Sequence, residues 1–166
     1  MARPIFEEIM KWGSTDGEKE LTLVGISNGG RIARAIETEI AKSGHRSNIR
    51  KLRFVSIVGA CKGSALANLA NKVGLSRLLS KNISEEMPTN SLRNNKLNQE
   101  WKEGLADGSS REYTFIASPH DWQVTNYSST LMDVCGQKAR YAIVPGHGHC
   151  SIVDAVAKTV VEIICS

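Results

Sequence analysis

The residue with the clearest chemical potential in this sequence is Ser27, which lies in the segment Gly25-Ile26-Ser27-Asn28-Gly29. A serine hydroxyl attacks a carbonyl group only when a turn lifts it clear of the backbone and a base removes its proton. Glycines two residues before and after Ser27 leave room for the strained backbone of such a turn. A helix beginning at Asn28 would direct its N-terminal N–H groups at an oxyanion beside Ser27. The pattern predicts a nucleophilic serine, and its alternative is an ordinary strand-to-helix turn.

Four histidines are candidates for the base, because imidazole titrates near neutral pH. His149 is favoured, since it stands directly before the last predicted helix in the loop that follows the last predicted strand. His147 in the same loop is the second candidate. His120 lies in a proline-containing turn, and His45 is expected at the opposite end of the sheet.

The base needs a carboxylate that holds its tautomer, and Asp121 fits because it follows the end of a neighbouring predicted strand. The alternative role for Asp121 is to stabilise the turn beside Pro119. Among the other aspartates, Asp107 and Asp133 are expected to be less anchored, and Asp154 is expected to face solvent.

The four cysteines, Cys61, Cys135, Cys150 and Cys165, show no spacing typical of metal ligands. We expect reduced thiols, no metal and no cofactor. Cys150 directly follows His149 and is the alternative nucleophile. However, the side chains of two consecutive residues at the start of a helix seldom face each other, so the thiol is not expected to meet the His149 ring.

The elements that must position these residues alternate between apolar strands and amphipathic helices, which indicates an α/β fold. We predict an open, mostly parallel sheet of about four strands with helices on both faces. The predicted strands are 20–26, 52–59, 112–117 and 139–144, and the predicted helices are 4–12, 28–43, 63–70 and 151–164. Ser27, Asp121 and His149 each follow the carboxyl end of a strand, where ligands bind in open parallel sheets.

Residues 60–110 are long for a single crossover between strands. We predict one crossover helix with an inserted excursion, in which residues 90–98 are polar and loop-like. The excursion would be either a lid over the site or a surface loop.

Composition limits the class of protein. A chain of 166 residues with 41% hydrophobic residues fits one domain, 1–166. Residues 1–13 lack the apolar core of a secretory signal, and no apolar run has the length of a membrane span, so we expect a soluble, cytoplasmic protein. The net charge of +4 is scattered and aromatic residues make up only 5%, which argues against a nucleic-acid partner.

Taken together, three segments resemble the α/β-hydrolase family. Residues 25–30 resemble its nucleophile elbow, residues 118–124 its acid turn, and residues 148–152 the segment that carries its histidine, in the family's chain order. The resemblance implies that Ser27 is the nucleophile, Asp121 the orienting acid and His149 the base. It also implies that the Asn28 backbone N–H is one oxyanion donor. Gly30 and the apolar flanks are most similar to the lipase and carboxylesterase branch.

The chain departs from the family pattern before Ser27. In the family the serine strand is the fifth of eight, whereas here only 26 residues precede Ser27. The resemblance therefore covers about the C-terminal half of the family's fold and omits the loop that supplies a second oxyanion donor. The strand before Ser27 would lie at an open sheet edge, so we expect a second copy or a separate polypeptide to pair with it.

Two functions are compatible with these observations. The first is a serine hydrolase that cleaves a carboxylic ester, with an acyl or lipid-like substrate, through an acyl-enzyme on Ser27. The second is a catalytically weak or inactive truncated hydrolase fold that serves as a binding or assembly module. The predicted triad favours the first, and the short N-terminal region favours the second.

Overall fold

The computed structural model describes residues 2–44, 48–72, 88–89, 91–105 and 110–166. In chain order the strands are β1 (Lys19–Ile26), β2 (Ile49–Ile57), β3 (Ser110–Ala117) and β4 (Lys138–Ile143). The helices are α1 (Ala2–Gly13), α2 (Asn28–Lys42), α3 (Ala65–Lys72), α4 (Leu92–Gly104), α5 (Tyr127–Thr130) and α6 (Ser151–Ile164). Among the described residues, no helix is long and apolar enough to cross a membrane.

The four strands form one parallel sheet in the order β1-β2-β3-β4. Ile26 pairs with Ile57, Ile57 with Ile116, and Ala117 with Ile143. This register aligns the carboxyl ends of all four strands at one edge of the sheet, called the carboxyl edge below. The predicted open, parallel α/β sheet is confirmed.

Two hydrophobic clusters cover the two faces of the sheet. On one face, α1, α2 and α4 pack over the strands, with Ile36, Phe54 and Trp101 in a single buried cluster. On the other face, Ile152 and Val156 of α6 pack with residues of β2 and β3. Full burial of one such apolar side chain contributes about 1.5–3 kcal/mol to the free energy of folding. The prediction of helices on both faces is confirmed.

The prediction that residues 90–98 form a loop is wrong for residues 92–98, which belong to α4. The hydroxyl of Ser91 caps this helix by accepting the Asn94 N–H at 3.1 Å. Asn94 is only 1% exposed and donates to the carbonyl of Pro88. The helix can be polar because it buries a hydrogen-bonded polar side chain, Asn94, as well as the apolar ring of Trp101. Within residues 60–110, the positions 73–87, 90 and 106–109 lie outside the described residues.

A buried carboxylate joins α2 to α4 and β3. Glu37 is fully buried and accepts hydrogen bonds from Trp101 Nε1 at 2.6 Å, from Arg111 Nη1 at 3.1 Å and from the Tyr113 hydroxyl. Burial and the adjacent Glu37 carboxylate raise the pKa of Tyr113. Because a buried charge is costly unless it is paired, this cluster fixes how α2 and α4 sit on the sheet.

The outer edge of β1 has no neighbouring strand among the described residues. On the α6 face of the sheet, Val24 and Ile26 of β1 are each 42% exposed, whereas Val55 and Ile57 of β2 are at most 2% exposed. Helix α6 therefore covers the middle of this face and leaves the β1 side bare. Native proteins rarely leave an apolar edge strand uncovered.

Candidate active site

Ser27 occupies a strained turn between β1 and α2. Its backbone has φ 54° and ψ −123°, a conformation that costs a non-glycine residue about 1–3 kcal/mol. Three backbone hydrogen bonds hold the turn. The Ser27 N–H donates to the Ile57 carbonyl at 3.0 Å, and the Ser27 carbonyl accepts from Gly30 at 3.1 Å and Ala60 at 3.0 Å. Hydrogen bonds to the end of β2, to the loop after it and to the first turn of α2 therefore hold Ser27 in its strained conformation.

The glycines around Ser27 have different roles. A Cβ on Gly25 would lie 2.6 Å from the backbone of Gly29, so β1 and α2 approach closely at this residue. A Cβ on Gly30 would lie 2.9 Å from Ser56 Oγ and 3.0 Å from Cys61 Sγ. A Cβ on Gly29 would meet nothing within 4 Å. The steric requirement therefore falls on Gly25 and Gly30, and not on the second glycine of the predicted pair.

Asn28 is the first residue of α2, so its backbone N–H has no acceptor within the helix. Its side-chain oxygen accepts from Arg31 Nε at 3.0 Å. The positive end of the α2 dipole lies at this point.

Asp121 contacts both its own turn and His149. Its Oδ1 accepts the backbone N–H groups of Gln123 at 2.8 Å and Val124 at 3.0 Å, which closes the turn after β3. Its Oδ2 lies 2.7 Å from His149 Nδ1. One carboxylate therefore builds the loop and contacts the imidazole.

His149 is 8% exposed and Asp121 is 5% exposed. Because a carboxylate only accepts hydrogen bonds, the proton of a neutral His149 ring is assigned to Nδ1. Nε2 then carries the free lone pair that a general base needs. This is the arrangement in which an imidazole can take a proton from a hydroxyl.

Ser27, Asp121 and His149 all follow strands that end at the carboxyl edge of the sheet. With neighbouring strands about 4.8 Å apart, β1 and β3 are separated by about 10 Å, so a side chain from the β3 and β4 loops must reach back over β2 to meet Ser27. Within the described residues, a hydrogen bond joins Asp121 to the His149 ring, whereas none joins the Ser27 hydroxyl to that ring.

The other candidates have different surroundings. The His120 ring accepts the Gly146 N–H at 3.0 Å, and Cys150 is exposed at the start of α6. Asp133 Oδ1 accepts from Cys135 N–H, and Asp154 is exposed in the first turn of α6. His45 and Asp107 lie outside the described residues.

Ser118 was not singled out from the sequence. It is 2% exposed, and its hydroxyl donates to the His147 carbonyl and accepts the His120 N–H at 3.1 Å. The available signal was a serine directly after a predicted strand and three residues before Asp121.

In the part of the chain that the structure describes, no three histidine, cysteine, aspartate or glutamate side chains form a cluster that could hold a metal ion.

No protein-family profile matches this chain, and no curated protein matches it. Solved structures do match it in fold. Est1E from Butyrivibrio proteoclasticus aligns with 99% of this chain and 70% of its own length, at a TM-score of 0.54 and 13% identity. The esterase EaEST from Exiguobacterium antarcticum aligns with 100% of this chain and 73% of its own, at 0.54 and 18% identity.

A monoacylglycerol lipase from Paleococcus ferrophilus aligns with 97% of this chain and 72% of its own length, at a TM-score of 0.52 and 16% identity. These identities are low enough that the likeness concerns the fold. Nearly all of this chain is matched, while about 30% of each neighbour is not. The chain therefore shares its fold with about 70% of the length of these esterase and lipase structures.

Proposed function

We propose that this chain is a serine hydrolase that cleaves a carboxylic ester of the acyl or lipid-like class. The observation that carries the proposal is the buried 2.7 Å contact between Asp121 and His149, at the same sheet edge as the strained Ser27 turn. Strain at a polar residue and a buried acid–imidazole pair are both costly features that recur at catalytic sites. Esterase and lipase neighbours in fold support the substrate class.

In the proposed reaction, Ser27 Oγ attacks the ester carbonyl carbon while its proton passes to His149 Nε2. The resulting oxyanion would be met by the Asn28 N–H and the N-terminus of α2. The carbon–oxygen bond to the alcohol then breaks, and His149 gives its proton to the leaving alkoxide. Water attacks the acyl-Ser27 ester with His149 again as base, which releases the acid and restores the serine.

Labelling with a fluorophosphonate, together with turnover of a short-chain p-nitrophenyl ester, tests the proposal. We expect the wild-type protein to be labelled and Ser27→Ala to be unlabelled and inactive. Ser14→Ala is the matched control, because it removes an exposed serine hydroxyl just after α1, away from the carboxyl edge. Parallel labelling of His147→Ala and His149→Ala identifies the base.

The second candidate is a catalytically weak or inactive fold used for binding or assembly. It is favoured by the missing hydrogen bond between Ser27 and His149 in the described structure and by the bare β1 edge. Absence of both label and turnover in a folded wild-type protein would favour this candidate and contradict the hydrolase.

A further inference from the structure

Two loops at the carboxyl edge are joined by hydrogen bonds. The acid loop (residues 118–124) follows β3, and the histidine loop (residues 144–149) follows β4. Four hydrogen bonds connect the segment from residue 117 onward to the histidine loop: Val144 N–H to the Ala117 carbonyl at 2.9 Å, Gly146 N–H to His120 Nδ1 at 3.0 Å, the Ser118 hydroxyl to the His147 carbonyl, and His149 Nδ1–H to Asp121 Oδ2 at 2.7 Å.

We propose that Ser118 and His120 are positioning residues, which hold the histidine loop so that His149 stays on Asp121. The inference rests on the proposed function, in which His149 is the base. Two of the four hydrogen bonds come from these side chains, and they lie between the end of the β3–β4 ladder and the Asp121–His149 contact.

Ser118 is placed to act on both loops at once. Its buried hydroxyl donates to the His147 carbonyl and accepts the His120 N–H. Both partners are backbone groups, so Ser118 fixes the path of the main chain on either side. Alanine would remove both bonds and leave a 2% exposed position without a polar group.

The His120 side chain holds the histidine loop at Gly146. Its Nδ1 accepts the Gly146 N–H, and Gly146 has a positive φ of 83° that favours glycine. The second loop glycine, Gly148, lies directly before His149. A loop with two glycines loses much conformational entropy when it is ordered, so external hydrogen bonds are needed to hold one conformation.

The consequence of losing these bonds is geometric. A base works only within about 2.6–3.2 Å of the proton that it takes, and a displacement of about 1 Å can cost about 10²-fold in rate. His149 belongs to the histidine loop, so its imidazole moves whenever that loop does.

Ser118→Ala is compared with Thr38→Val, which also removes a buried hydroxyl that donates to a backbone carbonyl, but on α2. The first measurement is the downfield proton NMR resonance of His149 Nδ1–H, assigned by its loss in His149→Gln. We expect a sharp resonance in the wild type and Thr38→Val, and at least about tenfold faster exchange with water in Ser118→Ala. Equal exchange in the two variants, or no resonance in the wild type, would overturn the proposal.

His120 gives a second, independent pair of variants, and its exposure makes misfolding less of a concern. His120→Leu removes the acceptor for Gly146, whereas His120→Asn retains an acceptor oxygen near the place of Nδ1. We expect faster exchange in His120→Leu and wild-type exchange in His120→Asn. If both variants match the wild type, or both lose the resonance, the role of His120 is contradicted.

Fluorophosphonate labelling of the same variants separates this inference from the proposed function. A slower labelling rate in Ser118→Ala than in Thr38→Val supports both. If the wild type is never labelled, the hydrolase proposal fails, while the NMR comparison still decides whether Ser118 and His120 hold the pair.

Discussion

Asp121 Oδ2 lies 2.7 Å from His149 Nδ1, while Oδ1 of the same carboxylate accepts two backbone N–H groups of its own turn. The imidazole is therefore oriented by a group that cannot rotate without opening the turn. The geometry of the acid turn and the orientation of the His149 ring are linked through one side chain.

Asp121→Asn tests this link. The amide oxygen can retain the turn, while the amide N–H₂ faces His149 and favours the tautomer with its proton on Nε2. That tautomer cannot accept the Ser27 proton, so we expect kcat for a p-nitrophenyl ester to fall on the order of 10³–10⁴-fold. The melting temperature should change little. Wild-type turnover in a folded Asp121→Asn protein would show that His149 does not depend on this carboxylate.

Gly25→Ala should damage the serine turn, and Gly29→Ala should not. A Cβ on Gly25 meets the Gly29 backbone at 2.6 Å, whereas a Cβ on Gly29 meets open space. We expect Gly25→Ala to cost about 1–3 kcal/mol of stability and to reduce serine labelling. Gly29→Ala should stay within about 1 kcal/mol of the wild type. Urea unfolding measures both, and equal effects would contradict the close approach of β1 and α2.

Glu37→Gln should be strongly destabilising. It weakens the buried ion pair with Arg111 and the contacts to Trp101 and Tyr113, at a cost of about 3–5 kcal/mol. Glu7→Gln is the control, because its pair with Arg3 is exposed and is worth at most about 1 kcal/mol. A loss below about 1 kcal/mol for Glu37→Gln in urea unfolding would argue against the buried carboxylate as an anchor for α4.

Cys61 should make the protein less stable at alkaline pH. Burial raises the pKa of its thiol above the ordinary 9.0, so the folded state keeps a proton that the unfolded state loses. Stability is therefore fully present below pH 9 and falls as the pH rises, by at most about 1.4 kcal/mol per pH unit from this group.

The stability difference between wild type and Cys61→Ala should accordingly shrink between pH 8 and pH 10.5, as followed by urea unfolding at about half-unit steps. Cys135→Ala is the control, since Cys135 is exposed. A difference that is constant with pH would show that the Cys61 thiol titrates alike in both states.

The outer edge of β1, which has no neighbouring strand among the described residues, should be covered in solution by a second copy of this chain or by a separate polypeptide. If a second copy covers it, light scattering after size exclusion will give a dimer, and Val24→Lys will convert it to a monomer. Val161→Lys, at an exposed valine of α6, is the control and should remain dimeric. A stable wild-type monomer would rule out the second copy, and protection from exchange of the β1 amides that face away from β2 in that monomer would rule out an uncovered edge.

Much of the sheet was predictable because parallel strands buried on both faces are rich in apolar residues. In residues 52–57, four of the six are apolar and buried: Leu52, Phe54, Val55 and Ile57. Helix α4 was not predictable in this way, because its stability depends on buried Asn94 and Trp101 and not on an apolar stripe. Nothing local marks Glu37 as buried either, since its partners Trp101, Arg111 and Tyr113 come from distant positions.

For the candidate site, the residue types and their positions after strand ends were sufficient to predict that Asp121 and His149 lie close together. The sequence could not show that Asp121 also closes its own turn, because that depends on backbone N–H directions. Nor could it show the contacts of Ser118 and His120 with the histidine loop, which require the register of β3 against β4.

The Ser27 carbonyl accepts the N–H of Ala60, the first residue of the 60–110 excursion. This bond sets the permissible starting point for any shortened version of the protein. A deletion of the excursion that removes Ala60 takes one of the two donors from the strained carbonyl, whereas a deletion that starts beyond Ala60 preserves it. A shortened version of the protein should therefore retain Ala60, and it should also retain the buried Trp101 of α4, which donates to Glu37.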